Sequence, residues 1–69
     1  MRISYDKRVD ALYIHLSETP SIDSEEIYDG VVVDFGADGK PVGIEFEHAA
    51  AVIDLGNLEA KSVPVEVSP

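Results

Sequence analysis

The stretch that most constrains this chain is residues 30–47, GVVVDFGADGKPVGIEFE, which predict two β-strands closed by a tight turn. Apolar residues occupy alternate positions on both sides of the turn: Val31, Val33, Phe35, Val42, Ile44 and Phe46. Because successive side chains of a strand point to opposite faces, each strand has one apolar face. Asp38 and Gly39 tolerate the positive φ angles that such a turn requires. Gly43 leaves a gap on the second face, which predicts a bulge or a close approach by another backbone segment.

Three more strands are predicted before this hairpin. Residues 2–5 suit a short first strand, and alternating apolar residues predict a second strand from residue 9 or 10 to residue 17. A helix over residues 6–16 also fits the apolar spacing, but the period of two and the β-forming side chains favour the strand. Residues 22–28 carry many carboxylates and few apolar side chains, which is typical of a sheet edge.

The chain changes character after the hairpin. Residues 48–55, HAAAVIDL, predict an amphipathic helix of about two turns, which Gly56 ends. So short a helix is marginal in isolation and must pack on the sheet or on a second subunit. We assign residues 1–56 to the domain and residues 57–69 to a C-terminal tail, which could add an edge strand, swap onto a neighbouring copy or remain loose. Pro64 excludes a central strand in the tail.

These elements predict the α+β class, with an antiparallel β-meander of about five strands followed by one short C-terminal helix. The chain has 69 residues and no cysteine, so neither its size nor a disulfide supplies much stability. A single short helix covers only part of the apolar sheet face. We therefore expect self-association, most simply as a dimer. The expected interface residues are Val33, Phe35, Ile44, Phe46, Val52 and Ile53.

The charge balance restricts the class of partner. Five basic residues against 14 acidic ones give a net charge of −9 at pH 7. This charge argues against nucleic acid and against an anionic membrane surface, since both are bound through Lys and Arg. A basic protein partner is compatible with it, although acidity also keeps a small protein soluble. Without a long apolar run or a signal-peptide core, we expect a cytoplasmic protein.

Two blocks of the sequence have a recognisable pattern. Residues 3–18, ISYDKRVDALYIHLSE, combine a short strand, an acidic turn and a D-A-L-Y-I-x-L strand. Residues 25–47 follow the pattern E-x-x-x-G-V-x-x-D-x-x-x-x-G-x-x-V-G-I-E. The residues that match this second pattern are Gly30, Val31, Asp34, Gly39, Val42, Gly43, Ile44 and Glu45. With both blocks at the expected separation, the chain resembles the domain-of-unknown-function family 2283 over about residues 1–53.

This resemblance implies a small prokaryotic protein with a β-meander and a helix, and it carries no known activity. Some members lie near genes for small toxin-like proteins, which implies an antitoxin-like partner of a basic protein as an alternative role. His48 stands where the family commonly has an acidic residue that could cap the helix. The tail from Leu55 onward lies outside the shared region.

Two acidic residues, Asp6 and Asp10, flank the turn between the first two strands. Two carboxylates could bind a hard cation such as Ca²⁺ or Mg²⁺, but there is no EF-hand spacing and no third ligand in order. Turn chemistry, in which the carboxylates accept hydrogen bonds from nearby backbone N–H groups, is the preferred interpretation.

A second acidic group is predicted on one strand face, where Asp34, Glu45 and Glu47 could lie near His15. Such a set could make the chain a metal-binding protein or an enzyme, but an exposed acidic face needs neither role. We find no catalytic triad, phosphate-binding loop or H-x-x-x-H motif, and we assign no catalytic, cofactor-binding or metal-binding residue. The preferred hypothesis is a small acidic module that self-associates or binds another protein.

Overall fold

The computed structural model describes residues 1–68, and in them the central hairpin forms as the sequence predicts. The strands in chain order are β1 (Arg2–Asp6), β2 (Ala11–His15), β3 (Asp23–Tyr28), β4 (Val31–Phe35), β5 (Pro41–Phe46) and β6 (Glu66–Ser68). One helix, α1 (Ala49–Val52), and one 3-10 turn (Leu55–Asn57) lie between β5 and β6. The β-rich class with one short helix is therefore as predicted.

The strand order corrects part of the predicted meander. The six strands form one sheet in the order β3-β4-β5-β2-β1-β6, so β3 does not pair with β2. Instead β5 lies between β4 and β2, antiparallel to both. This order is favourable because it places the apolar β5 in the centre and leaves the acidic, fully exposed β3 at one edge. The other edge is β6, from the tail, which runs parallel to β1.

The strand register gives the sheet two different faces. On the first face, which we call the apolar face, neighbouring strands align their apolar side chains in rows. One row runs across the sheet through Val67, Ile3, Ile14, Ile44, Val33 and Glu25. The next row contains Tyr5, Leu12, Phe46, Val31 and Tyr28. We call the opposite side the polar face.

The helix is shorter than predicted. It occupies only Ala49–Val52, and the chain is extended again at Ile53, so Gly56 does not end it. His48 precedes the helix in the left-handed conformation, with φ 51° and ψ 48°, and its side chain makes no capping hydrogen bond. A single turn has too few internal hydrogen bonds to be stable alone, so it depends on the contacts that bury Ala49 completely.

Only a few side chains are buried. The buried apolar residues are Leu12, Val31, Val42 and Ala49. Among the described residues, no large side chain is less than 2% exposed. A single sheet needs a second layer to bury its apolar side, and the described chain supplies only part of one. Within residues 1–68, no helix has the length and apolar composition needed to cross a membrane.

Candidate functional site

The centre of the polar face is a tyrosine that lies across a glycine. Tyr13 on β2 extends its ring over Gly43 on β5, and its hydroxyl donates a hydrogen bond of 2.7 Å to Asp34 Oδ2 on β4. A Cβ atom at Gly43 would overlap the end of the Tyr13 side chain. The gap predicted at Gly43 is therefore filled by a side chain rather than by a backbone segment, and the register also shifts beside it, between Asp34 and Phe35.

Polar contacts continue from Tyr13 towards both edges of the sheet. On one side, Ser24 of β3 donates a hydrogen bond of 2.6 Å to Asp34 Oδ1. On the other side, the His15 ring packs edge-on against the Tyr13 ring, with 4.5 Å between centroids. Arg2 Nη2 lies 3.3 Å from His15 Nδ1. The network thus links side chains of β3, β4, β2 and β1 and crosses over β5 at Gly43.

The surroundings of Tyr13 make its phenol a poor acid or base at neutral pH. Partial burial, the hydrogen bond to Asp34 and the nearby charges of Asp34 and Glu45 raise the pKa of Tyr13 to about 12. The phenol therefore stays protonated and acts as a hydrogen-bond donor. A general acid or base works best with a pKa near the operating pH, which Tyr13 lacks.

The predicted acidic set is only partly brought together. Asp34, Glu45 and His15 share the polar face, with Tyr13 between them, whereas Glu47 follows the end of β5 and is exposed. In the part of the chain that the structure describes, no three His, Cys, Asp or Glu side chains are placed to hold a metal ion. Sequence reasoning missed Tyr13 as the central residue. The signal that could have identified it is Gly43, because a glycine inside a strand often makes room for a neighbour.

Asp6 and Asp10 have structural partners. Asp6 accepts hydrogen bonds from the backbone N–H and the guanidinium of Arg8, and these hydrogen bonds lower the pKa of Asp6. Asp10 acts over a longer range, since both of its carboxylate oxygens lie 3.2 Å from the Ala50 N–H at the start of α1. Its Oδ1 also accepts a hydrogen bond of 2.7 Å from Tyr5, which raises the pKa of that phenol.

Asp10 therefore performs the capping role that His48 does not. Its carbonyl oxygen accepts from the Ala49 N–H at 2.9 Å, so backbone and side chain together satisfy two donors at the helix N-terminus. Asp10 adopts φ 53°, a left-handed conformation that aspartate tolerates better than most residues. The preferred interpretation of Asp6 as a turn residue agrees with these contacts, and Asp10 connects its turn to α1.

The apolar face is only half covered. Part of the segment 55–65 lies over its β1–β2 side and lines an open pocket of about 460 Å³. Its apolar lining includes Ile3, Leu12, Ile14, Leu55, Leu58 and Val65. The β4–β5 side carries the predicted interface residues Val33, Phe35, Ile44 and Phe46, all partly exposed. The other two predicted interface residues, Val52 and Ile53, are also partly exposed and lie in or directly after α1.

Comparison with known proteins gives one match. The model of the family described as "Protein of unknown function (DUF2283)" matches residues 2–49, which span β1 to β5 and the first residue of α1. No curated protein and no solved structure matched the chain.

Proposed function

Because the chain belongs to the DUF2283 family of proteins of unknown function, we propose its role from its geometry: it is a self-associating module. The apolar face of one copy packs against the same face of a second copy, in a symmetric dimer. The residues at the centre of this interface are Val33, Ile44 and Phe46. Two sheets packed face to face about 10 Å apart form the second layer that one copy lacks.

The exposed surface of the single chain is the main support for this proposal. A compact monomer of 7.5 kDa exposes roughly 4,250 Å² by the usual scaling of area with mass. This chain exposes 5013 Å², an excess of about 760 Å² over that expectation. A stable protein–protein interface buries about 800 Å² on each partner. The excess is thus of the size that one dimer contact would remove.

Symmetry is compatible with the arrangement of the face. A two-fold dimer uses the same patch on both subunits, so the patch must be self-complementary. Apolar side chains meet this requirement more readily than charged ones, because like charges would face each other. The row that runs through Ile44 and Val33 contains one charged residue, Glu25, which lies at the outer end of the row on the edge strand β3.

Net charge gives the dimer a characteristic salt dependence. Each copy carries a net charge of −9, so bringing two copies together costs repulsion between like charges. Salt screens this repulsion with a Debye length of about 10 Å at 0.1 M. Self-association through the apolar face should therefore strengthen as salt is added, whereas binding to a basic protein should weaken.

A matched pair of substitutions on β4 tests the proposal. Val33→Lys places a charge on the apolar face, and Val32→Lys places the same charge one residue earlier on the polar face. Both valines are partly exposed, and each has a cross-strand glutamate on β3: Glu25 beside Val33 and Glu26 beside Val32. The two variants therefore differ mainly in the face that they alter.

We expect light scattering at micromolar concentration to give a dimer for the native chain and for Val32→Lys, and a monomer for Val33→Lys. Far-UV circular dichroism checks that each variant is folded. If Val33→Lys is folded and keeps the native mass, the apolar face is not the interface. If Val32→Lys dissociates as fully as Val33→Lys, the dimer does not depend on which face is altered, which also contradicts the proposal.

A further inference from the structure

The edge strand β3 has no neighbour on its outer side. It is the last strand of the sheet order, and all six of its residues are exposed. Within residues 1–68, no strand pairs with that outer edge. An edge strand presents backbone N–H and C=O groups that another chain can pair with. The register with β4 is regular from Asp23 to Glu26 and shifts only between Glu26 and Tyr28, so this segment is the accessible part.

Apolar side chains stand at both ends of this segment. Ile22 precedes it and is 68% exposed, and Ile27 and Tyr28 follow it at 59% and 68% exposed. Natural edge strands are commonly protected by short length, proline or charged side chains; β3 has six residues and no proline, so its protection against unwanted pairing is the negative charge of its carboxylates. The exposed isoleucines and the tyrosine would be partly covered if another strand lay beside β3.

The charge of β3 selects the kind of strand that fits. Four carboxylates lie within seven residues: Asp23, Glu25, Glu26 and Asp29. In the described part of the chain, none of these four forms an ion pair. Pairing β3 with β3 of a second copy would bring glutamates together, and like charges on paired strands are destabilising. A strand with lysine or arginine opposite Glu25 and Glu26 would instead be attracted.

We propose that the outer edge of β3 binds an extended basic segment of another protein, which adds to the sheet as a further antiparallel or parallel strand. Backbone hydrogen bonds to residues 23–26 supply the docking, and basic side chains on both faces of the incoming strand pair with Glu25 and Glu26. Glu25 also lies at the outer end of the apolar face, but the docking uses the free backbone edge of β3, so the inference does not require the proposed dimer.

The test uses a fluorescein-labelled peptide, Val-Lys-Lys-Val-Lys-Lys-Val, which as a strand presents lysine on both faces, and fluorescence anisotropy with the full chain in about 50 mM salt. A second peptide has the same sequence with N-methyl groups on alternate backbone amides along one edge, and a third has them along the other edge. Methylation removes hydrogen-bond donors and keeps every charge. The protein variants are Glu25→Gln/Glu26→Gln and, as a control with the same change in net charge, Glu59→Gln/Glu66→Gln at exposed positions, with Glu66 on the opposite edge strand β6.

We expect at least one N-methylated peptide to bind about tenfold or more weakly than the parent, because strand pairing needs the donors of one edge. The Glu25→Gln/Glu26→Gln variant should lose about tenfold in affinity, and the control variant much less. If both methylated peptides bind as the parent does, attraction is by charge alone and strand addition is refuted. Equal losses in the two variants, or no binding at millimolar peptide, would also overturn the proposal. Measuring the mass of the same samples shows separately whether the chain dimerises.

Discussion

Replacing Gly43 by alanine tests whether Tyr13 organises the polar face. The added Cβ would overlap the end of the Tyr13 ring and lie 2.9 Å from its Cε2 atom, so the ring must move. Moving it breaks the hydrogen bond from Tyr13 to Asp34 and the edge-on packing against His15. Gly43 has no positive φ, so the expected effect comes from this overlap alone.

The size of the effect follows from these two contacts. A partly exposed hydrogen bond to a carboxylate contributes about 1–2 kcal/mol to stability, and an aromatic edge-to-face contact contributes about 0.5–1.5 kcal/mol. Exchanging glycine for alanine in a strand raises the free energy of unfolding by about 0.5–1 kcal/mol, because alanine restricts the unfolded backbone. We therefore expect Gly43→Ala to lower the free energy of unfolding by about 0.5–3 kcal/mol. The free energy of unfolding of a chain of this length is roughly 3–10 kcal/mol, so a loss of this size is measurable.

Gly43→Ala should have the opposite effect on the free energy of unfolding when Tyr13 is absent. In a Tyr13→Val background the space above Gly43 is free, so Gly43→Ala should stabilise by about 0.5–1 kcal/mol. Gly56→Ala is the control in the native chain, because a Cβ there would meet only Asp54 Oδ1 at an ordinary 3.7 Å. It should be neutral or stabilise by up to about 1 kcal/mol, because it restricts the unfolded backbone without an overlap in the folded chain.

Urea unfolding followed by circular dichroism measures the free energies of the native chain and the four variants, at one protein concentration because self-association would affect all of them. The reasoning is refuted if Gly43→Ala is neutral or stabilising in the native chain. It is refuted equally if the cost is the same with and without Tyr13, since the effect would then not involve that ring.

Two further predictions concern the other hydrogen-bonded side chains. Asp10→Ala should lower the free energy of unfolding by about 2–4 kcal/mol in the same assay, since it removes the cap of α1 and places alanine at φ 53°. Asp6→Ala loses an exposed ion pair and should lower it far less. A larger loss for Asp6→Ala than for Asp10→Ala would contradict the capping role. The pKa of Tyr13 rises from 10.0 when unfolded to about 12 when folded, so the stability from its hydrogen bond is complete below pH 10 and is lost as the pH approaches 12. Urea unfolding across this range should give a smaller decline for Tyr13→Phe than for the native chain, and equal declines would refute the assignment.

Local patterns predicted most of the elements. Alternating apolar residues located β2, β4 and β5, the carboxylates of residues 22–28 indicated the edge strand β3, and Asp38 and Gly39 located the turn of the central hairpin. These signals are local because the period of two and the turn conformations depend on neighbouring residues only. The helix was predicted too long. The spacing of Ala49, Val52 and Ile53 fits a helix, but a helix of two turns also needs packing contacts along its length, and the sequence pattern does not show whether they exist.

Long-range contacts could not be read from the sequence. The pairing of β2 with β5 joins residues about 30 positions apart, and a meander of sequential neighbours was the simpler expectation. The contact of Asp10 with Ala50 spans 40 positions, so the residues next to the helix in sequence, such as His48, could not indicate that Asp10 caps α1. Likewise Gly43 indicated that something approaches it, but the register places His15 opposite it, and only the side-chain positions show that the ring of Tyr13 covers it.

Sedimentation equilibrium of the native chain tests the central claim most directly, because it measures mass without labels or substitutions. If the apolar face is covered by a second copy, the mass at about 10–100 μM chain should be twice 7.5 kDa, and association should strengthen as salt rises. A mass of 7.5 kDa throughout this range and at every salt concentration would contradict the proposed dimer.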